Sequence, residues 1–171
     1  MRELGESLNY NAYGESEDDL FVRPAALYAI LHRYADPFAF LRDEPVVRRI
    51  GEGRRNDMEM ARQLRPESVA AAGSVYLLPD APWSRRVRGV FGNELATSAP
   101  ERAHAVLGPD ARGGYTVSVR APLAAPLGAD TLCREFPTGS GRSAAAGINH
   151  LPQEALPDFI RAFGRIFGAA P

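Results

Sequence analysis

The sequence predicts an α+β protein in which an N-terminal helical segment precedes a small mixed β-sheet of about four to five strands packed against helices. Two patterns predict this fold. Apolar residues recur every three or four positions between Pro24 and Leu64, as they do in amphipathic helices. From about Ala70 onwards, short strand-like runs bounded by turn residues alternate with helical patterns. The 171 residues suffice for one ordinary domain with an appended helical segment.

The N-terminal part is expected to begin without regular structure. Residues 2–20 are polar and rich in turn-forming residues, and the aromatic side chains of Tyr10 and Tyr13 need a partner to bury them. Helices follow, and the last helical stretch is expected to break near two glycines. The predicted helical ranges are 24–34, 38–41 and 45–64, with the break at Gly51 and Gly53.

The C-terminal part is expected to alternate strands with helices. The predicted strands are Ser74–Leu78, Ala103–Leu107, Tyr115–Val119 and, at a sheet edge, Gly147–Leu151. The predicted helices are Trp83–Thr97, Ala129–Phe136 and the amphipathic Gln153–Phe167. Residues 108–114 are expected to form a hairpin-like connection, and residues 139–147 are expected to form a loop.

Composition and charge exclude several classes of protein. The chain is 45% hydrophobic and 24% charged, close to the globular average, so it is expected to fold. Its net charge of -1 gives no overall attraction to nucleic acid or to an anionic membrane, so any bound anion must be held locally. No apolar stretch resembles a signal peptide or approaches the roughly 20 residues of a membrane span. We therefore expect a cytoplasmic protein with no membrane partner.

One segment, GSGRSAAAG at Gly139–Gly147, is not explained by composition. Small residues let the backbone approach a ligand closely, and successive N–H groups in such a loop form an anion-binding nest. The guanidinium of Arg142 in its middle suits a pair of phosphate oxygens. From these residues alone, a loop that merely permits close packing is an equal alternative. The segment lacks the GKS or GKT ending of a P-loop and the glycine spacing of a dinucleotide fingerprint.

No set of residues predicts a metal site or a catalytic nucleophile in this chain. The three histidines are far apart in sequence: His32, His104 and His150. His150 closely follows the glycine-rich segment and is expected near the same cleft. The acidic pairs are predicted to be solvated loop or helix-cap charges: Asp18 with Asp19, Asp43 with Glu44, and Asp57 with Glu59. The single cysteine, Cys133, excludes an internal disulfide and is expected to pack as an inert thiol.

In three places the sequence resembles the DHH family of phosphoesterases. The segment GSGRSAAAG resembles the GGGHPxAAG signature of the DHH-associated C-terminal domain. Ser118-Val119-Arg120 resembles the SxR element that precedes this signature in the family, and Leu8–Glu15 (LNYNAYGE) resembles the exit from the catalytic DHH domain. The order of strands and helices agrees as well. Arg142 replaces the signature histidine, so a permanent cation stands where the family has a titratable donor.

The resemblance implies a two-lobed enzyme that hydrolyses a phosphodiester or phosphoanhydride bond of a small nucleotide or short single-stranded oligonucleotide. Residues 1–70 would be the end of the catalytic lobe and a helical linker, and residues 71–171 the substrate-binding domain. Two divalent ions, Mn²⁺ or Mg²⁺, are expected in a catalytic lobe missing from this chain, which would partner it. The implied substrate-binding residues are Ser118, Arg120, Gly139, Ser140, Gly141, Arg142, Ala145, Ala146, Gly147 and His150.

Two other functions stay open. The chain is alternatively a stand-alone, non-catalytic module that binds a nucleotide or docks a partner. In that case Tyr10, Tyr13 and Phe21 would form an interface, for example that of a homodimer. The third alternative is an acyl or phosphoryl transferase that holds a pyrophosphate-bearing cofactor in the glycine-rich segment. That alternative is disfavoured because the segment leads into a predicted strand instead of a helix N-terminus.

Overall fold

The computed structural model describes residues 2–70 and 73–168. Its contacts divide the chain into two compact units. The first unit extends to Gln63 and includes Ala81–Val87, and the second comprises Leu64–Asp80 and the chain from Arg88 onwards. The roles expected for residues 1–70 and 71–171 stay predictions.

The first unit is helical. Its helices are α1 (Arg2–Tyr10), α2 (Pro24–Leu31), α3 (Pro37–Asp43) and α4 (Pro45–Arg62). Proline occupies the first turn of α2, α3 and α4, where its missing N–H costs nothing. Helices α1 and α4 pack together over a core that contains Ile50, which is fully buried.

Two features of the first unit differ from the sequence analysis. Helix α1 lies where no regular structure was expected. The sequence did not show an apolar helical face here, because two of the buried positions, Ser7 and Tyr10, carry polar groups. Helix α4 runs unbroken through both of its glycines. A Cβ at Gly53 would lie 2.2 Å from the ring of Phe21, so this glycine serves close packing and not a break.

The second unit contains a six-stranded mixed sheet. The strands are β1 (Ser68–Ala70), β2 (Gly73–Leu77), β3 (Ala103–Asp110), β4 (Gly114–Arg120), β5 (Gly139–Arg142) and β6 (Ala145–Pro152). Their order is β1-β2-β3-β4-β6-β5, with β2 and β3 parallel and the other neighbours antiparallel. The α+β class is confirmed, with one more strand than the upper expectation.

Three more α-helices lie along the rest of the described chain. They are α5 (Pro82–Ser98), α6 (Ala129–Cys133) and α7 (Leu156–Gly168). One face of the sheet packs on α6 and α7 through alternate residues such as Val117, Val119 and Ile148, which meet Leu132 and Phe159 in a single core. This period-two alternation leaves the intervening residues of the same strands on the opposite face.

Residues 139–147 form a β-hairpin and not the expected loop. Strand β5 pairs with β6 from Gly139 opposite Ile148 to Arg142 opposite Ala145, and only Ser143 and Ala144 make the turn. The backbone carbonyl oxygens of Ser143 and Ala144 accept hydrogen bonds from the N–H groups of Ala129 and Ala121. Strand β6 is therefore internal, not at the edge, since β4 and β5 flank it.

Candidate functional site

Most of the predicted site residues meet on one face of three adjacent strands. Arg120 of β4 pairs with Ala145 of β6, which in turn pairs with Arg142 of β5. The next row holds Ser118, Gly147 and Ser140 in the same order. Residues paired across antiparallel strands point to the same face, so these side chains all lie opposite α6 and α7. We call this set the polar face: Ser118, Arg120, Ser140, Arg142, Ala145 and Gly147.

The polar face contains a strip of small residues on β6 between longer residues of β4 and β5, and we call this strip the trough. Two strand spacings separate Arg120 from Arg142, which places their Cα atoms about 10 Å apart. The floor between them carries only the methyl group of Ala145 and the hydrogen of Gly147. A Cβ on Gly147 would lie 2.8 Å from the carbonyl oxygen of Val117, so a larger residue does not fit there. Arg120 and Arg142 thus lie on the two strands that flank the trough.

The guanidinium of Arg120 is held only by neutral acceptors. Its Nε donates to Oδ1 of Asn93 at 2.8 Å, and its Nη1 donates to Oγ of Ser118 at 2.9 Å and to the carbonyl oxygen of Val119 at 3.1 Å. Within the described residues it makes no ion pair. Burial lowers the pKa of Arg120. The site therefore holds a partly desolvated positive charge that no carboxylate compensates, and a bound anion would supply the compensation.

Arg142 and Ser140 are the exposed members of the polar face. The side chain of Arg142 makes no hydrogen bond or ion pair to any of the described residues, so its guanidinium is available to a ligand. Ser140 lies two residues earlier on the same side of β5, opposite Gly147. Together with Arg120, these groups supply hydrogen-bond donors from both walls of the trough.

Three predicted site residues point to the other face of the sheet. Gly139, Gly141 and Ala146 share rows with core residues such as Ile148 and Val119. A Cβ at Gly139 would lie 1.6 Å from the carbonyl oxygen of Cys133, so this glycine lets β5 lie against α6. The N–H of Gly139 already donates to the carbonyl oxygen of Phe136. These residues shape the hairpin, and the expected nest of free N–H groups beginning at Gly139 is not formed.

The structure does not bring His150 to the two arginines. It lies on β6 between Ile148, which pairs with Val117, and Leu151, which pairs with Tyr115, so about 13–17 Å of strand separates its row from that of Arg120. Its Nδ1 lies 2.7 Å from Oδ2 of Asp110, which also accepts a hydrogen bond from Nη2 of Arg112. His150 therefore lies away from Arg120 and Arg142, and its expected part in substrate binding stays a prediction.

The other histidines and the cysteine do not contribute exposed groups to the polar face. His32 ends α2 and stacks on Tyr28. His104 of β3 pairs with Arg120 but is only 4% exposed, and burial lowers its pKa. Cys133 is fully buried on α6, as expected, and burial raises the pKa of its thiol to about 12. In the described ranges, no three His, Cys, Asp or Glu residues group in a way that suits a metal ion.

Two acidic residues expected in solvent are instead buried in the first unit. Asp57 accepts hydrogen bonds from Tyr10 at 2.8 Å and from two nitrogens of Arg86 at 2.7 and 3.0 Å. Asp19 is 2% exposed and pairs with Arg85 at 2.7 Å. Sequence patterns could not reveal these pairs because the partners lie 29 and 66 positions apart. Asp18, Asp43 and Glu59 are exposed, as expected.

The aromatic residues expected at an interface are partly buried within the first unit. Tyr10 is 1% exposed, and its hydroxyl is used by Asp57, so it is not part of an exposed surface. Tyr13 is 38% exposed. Phe21 is half-buried beneath the guanidinium of Arg86, whose Cζ lies 4.2 Å from the ring centroid. The stretch thus completes a local core, while a homodimer stays a prediction.

Comparison with known proteins finds the same fold in solved structures. RecJ from Thermus thermophilus in complex with Mn²⁺ matches 99% of this chain at 19% identity with a TM-score of 0.62, and its complex with Mg²⁺ matches at 18% identity with the same score. An exonuclease RecJ bound to manganese matches 99% of the chain at 19% identity with a TM-score of 0.55. The DHH domain of a protein from a family of ribosomal proteins matches 96% at 14% identity with a TM-score of 0.57. No family model and no curated protein matches the sequence.

These likenesses show the fold to which the chain belongs. The chain has an α+β fold that RecJ and the DHH-domain protein share, and it spans 27–46% of the length of those solved chains. The resemblance to the DHH family read from GSGRSAAAG, SVR and LNYNAYGE is therefore confirmed at the level of the fold. None of the helices in the described residues has the length and apolar character needed to cross a membrane.

Proposed function

We propose that the second unit grips the phosphate groups of a short single-stranded nucleic acid or small nucleotide, as the substrate-binding part of a metal-dependent phosphoesterase. The observation that carries this proposal is the environment of Arg120. Its guanidinium is partly desolvated and fixed by neutral acceptors, which leaves its charge available to an anion. One of the solved structures that share the fold is that of an exonuclease, RecJ bound to manganese.

Each member of the polar face has a role in this proposal. Arg120 supplies the fixed cation, and Arg142 supplies an exposed cation on the other wall of the trough. Ser140 donates its hydroxyl proton to a phosphate oxygen, while Ser118 holds Arg120 from below. Ala145 and Gly147 keep the floor low enough for the sugar-phosphate chain to lie between the arginines.

Hydrolysis is assigned to groups outside the described residues. Two-metal hydrolysis requires several carboxylates and imidazoles that converge on the ions, and the residues at the polar face do not form such a set. The two Thermus thermophilus RecJ complexes contain Mn²⁺ and Mg²⁺. We propose that a catalytic lobe holding such ions acts on the substrate that this chain binds, and that this chain itself contributes no catalytic residue.

A binding titration tests the proposal. The full chain is titrated into a fluorescently labelled, phosphorylated oligothymidylate, and fluorescence anisotropy gives the dissociation constant. Charge-assisted hydrogen bonds contribute about 1.5–3 kcal/mol, so Arg120→Ala and Arg142→Ala are each expected to weaken binding by about tenfold or more. Arg161→Ala is the matched control, because this arginine is exposed in the same unit and already pairs with Asp158. Wild-type affinity in both Arg120→Ala and Arg142→Ala contradicts the proposal.

A further inference from the structure

Asn93 on α5 makes the contact with Arg120 that sequence analysis did not find. Its Oδ1 accepts the Nε–H of Arg120 at 2.8 Å, across 27 positions of sequence. The helix also packs on the stem of this arginine, since a Cβ at Gly92 would lie 3.8 Å from its Cγ. Both residues belong to the second unit. Helix α5 therefore supports Arg120 along its stem and at its head.

The three acceptors of Arg120 leave one side of its guanidinium unused. Nε is taken by Asn93, and the two N–H groups of Nη1 are directed to Ser118 and to the backbone at Val119. Nη2 has no hydrogen-bond partner among the described residues. A guanidinium carries five N–H donors in a rigid fork, so three fixed donors determine where the remaining two point. Asn93 thus helps to set the direction in which Arg120 presents its charge.

The chemical identity of Asn93 matters because an amide oxygen is neutral. An aspartate is nearly the same size and would accept the same hydrogen bond. Its negative charge, however, would form an ion pair with Arg120 and compete with a phosphate for the guanidinium. An amide holds the arginine without cancelling its charge.

We propose that Asn93 is a positioning residue that orients Arg120 for phosphate and keeps its charge uncompensated. This inference rests on the proposed function of the polar face. It assigns to α5 a part in ligand recognition that is separate from packing. It also predicts that a substitution that preserves the hydrogen bond but adds a charge is more harmful to binding than one that removes the hydrogen bond.

The test compares Asn93→Asp with Asn93→Ala in titrations of the full chain with the labelled oligothymidylate at several salt concentrations. Asn93→Asp is expected to weaken binding by about tenfold or more and to reduce the slope of log affinity against log salt by about 0.7, the effect of one phosphate contact. Asn93→Ala is expected to weaken binding by about threefold with an unchanged slope, since the cation remains. Thermal unfolding of Asn93→Asp is expected at or above the wild-type temperature, because an ion pair is gained.

Controls separate this inference from the proposed function. Ser98→Asp adds the same charge to α5 at another side of the helix, and it is expected to bind as wild type does. If Asn93→Asp binds with wild-type affinity and slope while Arg120→Ala binds weakly, the inference is wrong and the proposed function stands. If Arg120→Ala and Arg142→Ala also bind as wild type, the proposed function fails. An equal loss in Asn93→Ala and Asn93→Asp, with the same slope, contradicts the argument from charge.

Discussion

Arg86 of the first unit and Arg120 of the second unit are held by their surroundings in opposite ways. Arg86 of the first unit is tied to the carboxylate of Asp57 by two hydrogen bonds, and Arg85 is tied to Asp19. Burial opposes the charge of Arg86, but the hydrogen bonds and the charge of Asp57 outweigh it and raise the pKa of the guanidinium. Arg120 of the second unit has only neutral acceptors. A compensated arginine stabilises the fold, whereas an uncompensated one is available to an anionic ligand.

The largest expected effect comes from breaking the compensated pair. Asp57→Ala leaves Arg86 and the hydroxyl of Tyr10 buried without their partner, which is expected to lower the free energy of unfolding by about 3–5 kcal/mol. Urea unfolding followed by circular dichroism measures this change. Asp18→Ala is the control, since Asp18 is exposed, and no measurable change is expected. A loss below about 1 kcal/mol for Asp57→Ala contradicts the structural role assigned to this pair.

A second change separates the structural from the binding residues within the glycine-rich segment. Gly139→Ala places a methyl group against the carbonyl of Cys133, so the backbone must shift, and the free energy of unfolding is expected to fall by about 1–3 kcal/mol. Gly89→Ala in α5 meets nothing within 4 Å and is expected to add about 0.5–1 kcal/mol. Urea unfolding of both variants measures the contrast. Equal stability of the two variants contradicts the close packing of β5 on α6.

A smaller effect is expected from Asp110, whose carboxylate contacts the side chains of Arg112 and His150. Burial alone would raise the pKa of Asp110, but hydrogen bonds from the backbone and side chain of Arg112 and from His150 lower the pKa to about 2. The unfolded carboxyl titrates near its ordinary value of about 3.9. The contribution of Asp110 to stability is therefore complete above that value and is lost as the pH falls towards about 2.

The variant Asp110→Asn tests this pH dependence. Its stability is expected to be lower than that of the wild type at neutral pH and to fall less steeply between about pH 4 and pH 2. Urea unfolding at a series of pH values measures both quantities. Parallel pH profiles for the two proteins contradict the account of Asp110.

Local sequence patterns predicted the strands and helices in which apolar and polar residues follow a clear strand or helix periodicity. Strands β2, β3 and β4, and the helices α5 and α7, lie within a few residues of their expected bounds. Strand β6 was predicted at Gly147–Leu151, but its hairpin with β5 was not, because GSGR has no β-branched residue and its pairing depends on contacts with α6 and β6. Helix α1 was missed because polar groups occupy buried positions on its inward face.

The candidate site was predictable only in part. The resemblance to the family signature marked Arg120 and Arg142, and sheet register brings them into one row. The same resemblance included Gly139, Gly141 and Ala146, whose small size serves packing on the other face. Asn93 carries no sequence signal, since a single asparagine on a helix is common and its partner is distant in sequence. Residues that act through contacts with distant parts of the sequence can be identified only from the three-dimensional structure.

The measurement that tests the central claim most directly is the salt dependence of oligothymidylate binding in the double variant Arg120→Gln/Arg142→Gln. Glutamine retains hydrogen-bonding capacity but removes both charges of the polar face. Each lost phosphate contact lowers the slope of log affinity against log salt by about 0.7 for a single strand, so a decrease of about 1.4 is predicted. A double variant that binds with the wild-type slope would show that the phosphate is held elsewhere and would contradict the claim.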